Sequence, residues 1–171
     1  YYGVAEAQIA LGAGMQPLLF ALASLRLQQS GRAKVKILSP TYSEYARVWE
    51  AAGHEVLAVQ AFSPADVVIL CNPNNPDGRV IAPETLLQWA DTLAKTGGWL
   101  VVDEAFADVT SDSSVAADVA TQNNLMVLRS CGKFFGLAGL RVSAAMVPEA
   151  MTGWLRRVMG PWPITTAASV A

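Results

Sequence analysis

The chain has 171 residues, of which 53% are hydrophobic and 15% charged, and its formal net charge is −2. A chain of this length supports one sizeable core and buries roughly 70% of its unfolded surface. The near-neutral balance, without a basic stripe, offers nothing for nucleic-acid binding by phosphate neutralisation. Mean hydropathy is high, at +0.32, yet Arg, Gln, Asp or Gly interrupts each apolar run before the ~18 residues of a membrane span, so no transmembrane segment is expected.

The N-terminus, Tyr1-Tyr2-Gly3-Val4, has no charged start followed by an apolar core, so no signal peptide is expected. It also has no initiator methionine, and the chain is expected to begin inside a longer protein. From there, short β-branched runs alternate with amphipathic patterns. Helices are predicted over Met15–Gln29, Ser43–Ala52, Pro83–Lys95, Ser113–Thr121 and Pro148–Met159. Pro83 and Pro148 suit first-turn positions, and Gly31, Gly53 and Gly97 suit C-terminal caps. Strands are predicted over Val35–Leu38, Glu55–Val59, Asp66–Cys71, Gly98–Asp103, Leu125–Arg129 and Val142–Val147. Most are almost continuously apolar, as strands buried on both faces are. The regular alternation predicts one three-layer α/β/α domain with a mainly parallel sheet. The two cysteines, Cys71 and Cys131, have no metal or redox spacing, fit a reducing cytoplasm, and read as packing thiols.

In such sheets ligands sit beyond the carboxyl ends of the strands. The run Asn72-Pro-Asn-Asn-Pro-Asp-Gly-Arg79 follows one strand; it reads either as an ordinary Asn-Pro turn or as a rigid loop whose asparagine amides are free to bind. Asp103-Glu104 ends another. A carboxylate there needs a cation, such as a protonated pyridine nitrogen, unless it serves as a helix cap or in a local ion pair. A third strand delivers Ser130 and Lys133, and a lysine after a strand, taken alone, is usually solvated surface. At the amino end Leu11-Gly-Ala-Gly-Met-Gln16 opens a helix; it is either a tight turn or a set of backbone N–H groups able to bind phosphate. An amine among glycines, with Arg141 eight residues on, suits Schiff-base chemistry with a phosphorylated carbonyl cofactor.

Taken in order, the glycine-rich helix start, Pro40-Thr-Tyr42, Asn72-Pro-Asn-Asn-Pro-Asp-Gly78, Asp103-Glu-Ala-Phe106 and Ser130-Cys-Gly-Lys-Phe-Phe-Gly-Leu-Ala-Gly-Leu-Arg141 resemble the fold-type I pyridoxal-phosphate enzymes of the aminotransferase class I/II family. The resemblance runs from Tyr1 to about Trp162. It implies the large, cofactor-binding domain over residues 1–171, without the family's C-terminal small domain, and a cytoplasmic homodimer. It further implies that pyridoxal 5'-phosphate is bound by Lys133 as Schiff-base lysine, with Asp103 on the pyridine nitrogen and Asn75 on the phenolic oxygen. Tyr42 would stack on the ring, and backbone groups at Gly14, Met15 and Gln16, with Ser130 and Arg141, would form the phosphate cup.

More narrowly, Asp103–Asp108 with Arg129–Arg141 looks like the threonine-phosphate decarboxylases of cobalamin biosynthesis, with histidinol-phosphate aminotransferases as near relatives. Phe106 stands where the aminotransferases commonly have a tyrosine, and Gly132 where they often have a serine. Both departures favour decarboxylation of threonine phosphate to aminopropanol phosphate. Transamination of a histidinol-phosphate-type substrate is the alternative, and a non-catalytic cofactor-binding remnant is a third reading. After Arg141 a glycine and an aromatic are usual, whereas this chain reads Val142-Ser-Ala-Ala-Met146, a stretch expected to be shortened or differently built. His54, the sole histidine, reads as a turn residue rather than a catalytic one, and the five tryptophans as packing or interface groups. No Gly-x-Ser-x-Gly elbow or metal cluster is present.

Overall fold

The computed structural model describes residues 2–169. Seven strands form one sheet: β1 (Ile9–Gly12), β2 (Lys34–Leu38), β3 (Glu55–Val59), β4 (Val67–Cys71), β5 (Trp99–Asp103), β6 (Leu125–Ser130) and β7 (Ser143–Met146), in the order β1-β7-β6-β5-β4-β2-β3. Neighbours from β6 to β3 pair in parallel, whereas β7 is antiparallel to both β6 and β1. β7 is therefore the single reversed strand, and the expected mainly parallel α/β/α architecture is observed.

Side chains alternate across the sheet, so the apolar strands feed two cores. Val67, Ile69, Val101, Met126 and Leu128 face α1 (Met15–Ser30), α2 (Glu44–Ala51) and α4 (Glu149–Met159). Val68, Leu70, Leu100, Val102, Leu125 and Val127 face α3 (Pro83–Ala94) and the short 3₁₀ turn at Ala116–Ala120. α1 lies between the sheet and its neighbouring helices. It buries Leu18, Leu19, Leu22 and Leu25 on more than one side, and even Arg26 is covered, donating to Gly97 O at 3.1 Å beneath the Trp99 ring. A last short helix, α5, spans Thr166–Ser169, and no helix among the described residues is long and apolar enough to cross a membrane.

The predicted elements differ from the observed ones in three places. β1 is not among the predicted strands; with four residues it is recognisable only through its pairing to β7. The helix expected over Ser113–Thr121 is replaced by two 3₁₀ turns, Ser111–Ser113 and Ala116–Ala120. There the Val115 N–H and the Ser114 hydroxyl bond Glu104 instead of a helical ladder. Pro148 is the N-cap of α4 rather than a first-turn residue; the strand expected over Val142–Val147 is observed as β7. Gly31, Gly53 and Gly97 all have positive φ where the helices end, as expected.

His54 is 4% exposed. Its Nδ1 accepts the Ala33 N–H at 3.0 Å, and Nε2, facing Ala23 O at 2.9 Å, therefore donates. The ring ties the α2–β3 turn to α1 and to the entry of β2, a structural clamp. His54→Ala is expected to lower stability by about 1–3 kcal/mol in urea denaturation; a shift within ~0.5 kcal/mol, typical of an indifferent surface site, would show both bonds to be dispensable.

Candidate active site

The carboxyl ends of β4, β5 and β6, with the amino end of α1, surround a cavity of about 170 Å³. That is far more than the ~10–15 Å³ needed for one water and is room for a small molecule. Gly14, Met15, Gln16, Tyr42, Asn75, Asp103, Ser130, Lys133 and Arg141 all line it, joined by Tyr45, Cys71, Phe106, Gly132 and Ser143. All nine residues that the resemblance implies for cofactor binding thus line one cavity.

Asp103 ends β5 on the α1/α2 side of the sheet and is 4% exposed. Its Oδ1 accepts the Ala105 N–H at 2.9 Å, and its Oδ2 accepts the Tyr45 hydroxyl at 2.6 Å. Among the described residues no cation forms an ion pair with it. Burial pushes its carboxyl above the ordinary range, against the opposing pull of Tyr45, the Ala105 amide and the more distant Lys133. Tyr45 is itself fully buried and shifted well upward by desolvation, so it remains a donor. Tyr45 escaped the sequence reading; as the first buried residue of α2, three after Tyr42, it reads as core. Tyr42 remains half exposed, edge-on to Tyr45 at 5.5 Å between centroids.

The asparagines of the β4 loop divide. Asn72 is spent on Ile81 and Ser113, and Asn74 on Pro40 O and Asp77, so these two hold the loop. The expectation that the amides stay free holds for Asn75 alone, which is exposed and without a side-chain partner among the described residues. At the start of α1 the Gly14 N–H is also committed, to Gly12 O at 2.7 Å, so Gly14 contributes no donor to a cup. Its contribution is the absence of a side chain: φ is +99°, and a Cβ would lie 2.5 Å from Arg141 Nη2. Met15 and Gln16 open the helix, where N–H groups lack intrahelical acceptors. The Gln16 side chain turns away to Glu44 at 2.6 Å.

Lys133 is exposed, its Nζ 5.6 Å from the centroid of Phe106, and it forms no ion pair among the described residues. Gly132 is closely packed, since a Cβ there would come within 3.2 Å of the Ala138 backbone. Cys71 also faces the cavity, but burial pushes its thiol up to about 12, so it is a protonated wall group rather than a nucleophile.

On the opposite face of the sheet, Glu104 and Arg129 pair at 2.9 Å, and Asp108 meets the same guanidinium at 3.3 Å. Ser114 bridges, donating to Glu104 at 2.7 Å and accepting from Arg129 at 2.9 Å, while the Tyr2 ring lies 4.4 Å from the guanidinium carbon. Glu104 completes this network rather than the cavity. Among the described residues no group of three or more His, Cys, Asp or Glu side chains could hold a metal ion.

The fold and cavity define an α/β domain with a candidate site at the carboxyl ends of its parallel strands. Within that class, the family described as aminotransferase class I and II matches residues 1–171. The chain belongs to this family of pyridoxal-phosphate enzymes. A threonine-phosphate decarboxylase of Pseudomonas aeruginosa is 44% identical over 170 residues, covering 96% of this chain and 49% of the relative. Histidinol-phosphate aminotransferase 2 of Archaeoglobus fulgidus is 33% identical, covering 98% of this chain and 50% of its own length. The chain therefore spans about half the length of these curated relatives. Among solved structures, L-threonine-O-3-phosphate decarboxylase from Porphyromonas gingivalis superposes with a TM-score of 0.84 at 23% identity, over 98% of this chain and 52% of that one, a likeness of fold.

Two consequences of the buried charges can be measured. Because burial raises the Asp103 carboxyl, the folded protein keeps that proton to higher pH than the unfolded chain does. Its contribution to cofactor-free stability is fully present below the ordinary carboxylate value and is lost as pH rises through the raised one. Asp103→Asn, which can still meet Ala105 and Tyr45, is expected to be more stable than wild type at neutral pH without cofactor, by an amount that shrinks on acidification. Denaturant titrations across pH check this. Arg129→Met, which leaves Glu104 buried without its cation, is expected to cost about 3–5 kcal/mol in the same assay.

Proposed function

We propose that residues 1–171 form the cofactor-binding large-domain portion of a pyridoxal-phosphate enzyme that decarboxylates threonine phosphate to aminopropanol phosphate, as in cobalamin biosynthesis. The observation that carries the reading is the single cavity in which a free lysine amine, a buried carboxylate without a cation and a helix start beside an arginine meet. These residues fit the cofactor. Asp103 is a buried acid that meets neutral donors and no ion-pair partner among the described residues, which suits a protonated ring nitrogen, and Gly14 leaves a cradle that a Cβ would fill.

When bound, pyridoxal phosphate supplies an electron sink for the pair left at the substrate's α-carbon. Asp103, steadied by Tyr45 and Ala105, would keep the ring nitrogen protonated. Asn75 would donate to the phenolic oxygen, and Tyr42 would cover the ring. Met15 and Gln16 N–H groups, Ser130 and Arg141 would hold the phosphate, a dianion for which a guanidinium fork suits better than an ammonium. Lys133 is the amine that would hold the aldehyde carbon and that, when free, would return a proton to the substrate's α-carbon. Phe106 withholds the hydroxyl that a tyrosine would direct at the phenolic oxygen, and Gly132 sits where a side chain would press on Ala138.

These two residues, with the higher identity to the threonine-phosphate decarboxylase than to the histidinol-phosphate aminotransferase, support decarboxylation over transamination. We also read the protein as a cytoplasmic homodimer. The free thiols Cys71 and Cys131 support the compartment. Phe134, Phe135 and Leu137, exposed beside Lys133, support a second copy closing over the site.

The test is an absorbance titration with pyridoxal phosphate, in which a band forms with wild type and not with Lys133→Ala. In the full-length protein, carbon dioxide release from threonine phosphate is expected to exceed transamination of histidinol phosphate. Release should fall at least ~10²–10⁴-fold in Lys133→Ala, the scale of a lost general acid–base group. A dominant transamination would overturn the decarboxylase assignment.

A further inference from the structure

Ser143 is the first residue of β7 and the second after Arg141. It is 1% exposed, it lines the cavity, and its hydroxyl oxygen has no hydrogen-bond partner among the described residues. Register places it between Ser130 of β6 and Gly12 of β1. Gly12 brings no side chain to bond, and the Ser130 hydroxyl accepts the Gly132 N–H at 3.2 Å. An unpaired buried hydroxyl costs about 1–3 kcal/mol, and native structures leave few of them.

The wall around Ser143 is rich in donors. Arg141 carries five N–H groups and no acceptor, and α1 opens with the N–H groups of Met15 and Gln16. What such a wall lacks is an acceptor, and an oxyanion supplies several. Resting on the reading of this cavity as a pyridoxal-phosphate site, we infer that Ser143 is a further member of the phosphate cup, its hydroxyl donating to the cofactor's phosphate group. That hydroxyl belongs to a residue that already lines the cavity, and a serine side chain has three staggered χ1 positions from which to meet an oxyanion there. Ser143 thereby adds a neutral donor from β7 to those from α1, β6 and the loop that bears Arg141.

The test compares two ligands that differ only in the phosphate. Wild type, Ser143→Ala and Ser143→Gly are titrated by equilibrium dialysis with pyridoxal phosphate and with pyridoxal. The ratio of the two affinities within one variant does not depend on the fraction folded. Both variants are expected to bind pyridoxal phosphate about tenfold more weakly, the lower end for a hydrogen bond to a charged acceptor. Their pyridoxal affinity stays at the wild-type value, and Ser143→Thr retains the wild-type ratio. An unchanged ratio in Ser143→Ala and Ser143→Gly, whether both affinities hold or both fall, overturns the inference while leaving the cofactor reading standing. A wild-type protein that binds neither ligand overturns the cofactor reading and the role of Ser143 with it.

Discussion

At the ends of β5 and β6 the pleat forces neighbouring residues apart, and the site depends on that separation. Asp103 and Ser130 point to the face covered by α1 and α2, whereas Glu104 and Arg129 point to the other. One layer of backbone thus keeps the Arg129 guanidinium away from Asp103. Were the register of either strand to slip by one residue, the cation would meet the acid that the cavity needs unpaired. The parallel pairing Cys71↔Asp103 and Asp103↔Leu128, with β4 and β5 buried along their whole length, fixes that register.

The two faces spend buried charge in opposite ways. Glu104 is satisfied completely, by Arg129, Ser114 and the Val115 amide, and the bonds it makes draw the 3₁₀ segment against the sheet. Among the described residues Asp103 has only neutral donors, from Tyr45 and Ala105. Neutral hydrogen bonds orient a carboxylate without discharging its need for a cation. A ligand carrying a ring cation therefore gains from an acid already aimed and already dehydrated, and the fold bears the cost in advance. Tyr45 is central to this arrangement because its own proton is held firmly by burial.

Much of the architecture could be read from the sequence because buried parallel strands are written as unbroken apolar runs and their helices as separated amphipathic ones. Lys133, Asp103, Asn75 and Arg141 each have an ordinary reading when taken alone, and they stood out because their motifs follow one another in the order of a known family. β1 was hidden, since four residues carry no period that pairing does not supply. The residues around Ser114 have helical composition, and only the position of Glu104 in space diverts their backbone to 3₁₀ turns. Nor can a sequence show which of three asparagines is spent on its own loop. Tyr45 and Ser143 were obscured for the same reason: one lies in a helix and the other in a strand, and their polar atoms gain meaning only from the cavity beside them.

The reversed strand explains how Lys133 and Arg141 come to serve one cavity. Had β7 continued the parallel pattern, the chain leaving Ser130 would have needed a crossover to the far end of the sheet, carrying Arg141 away from the site. Because β7 instead runs antiparallel to β6, residues 131–142 return to the end they left, and the Cys131 N–H closes the loop on Val142 O at 3.1 Å. Inside it, Gly136 bonds back to Lys133 O and Leu137 to Cys131 O, so both charged residues hang from a short, internally tied loop. The same reversal brings Ser143 opposite Ser130. β1 then pairs antiparallel with β7, so it ends at that edge too and delivers Gly14 and the start of α1 against Arg141. A single change of strand direction thus gathers amine, guanidinium and helix start, groups far apart in the chain, around one small volume.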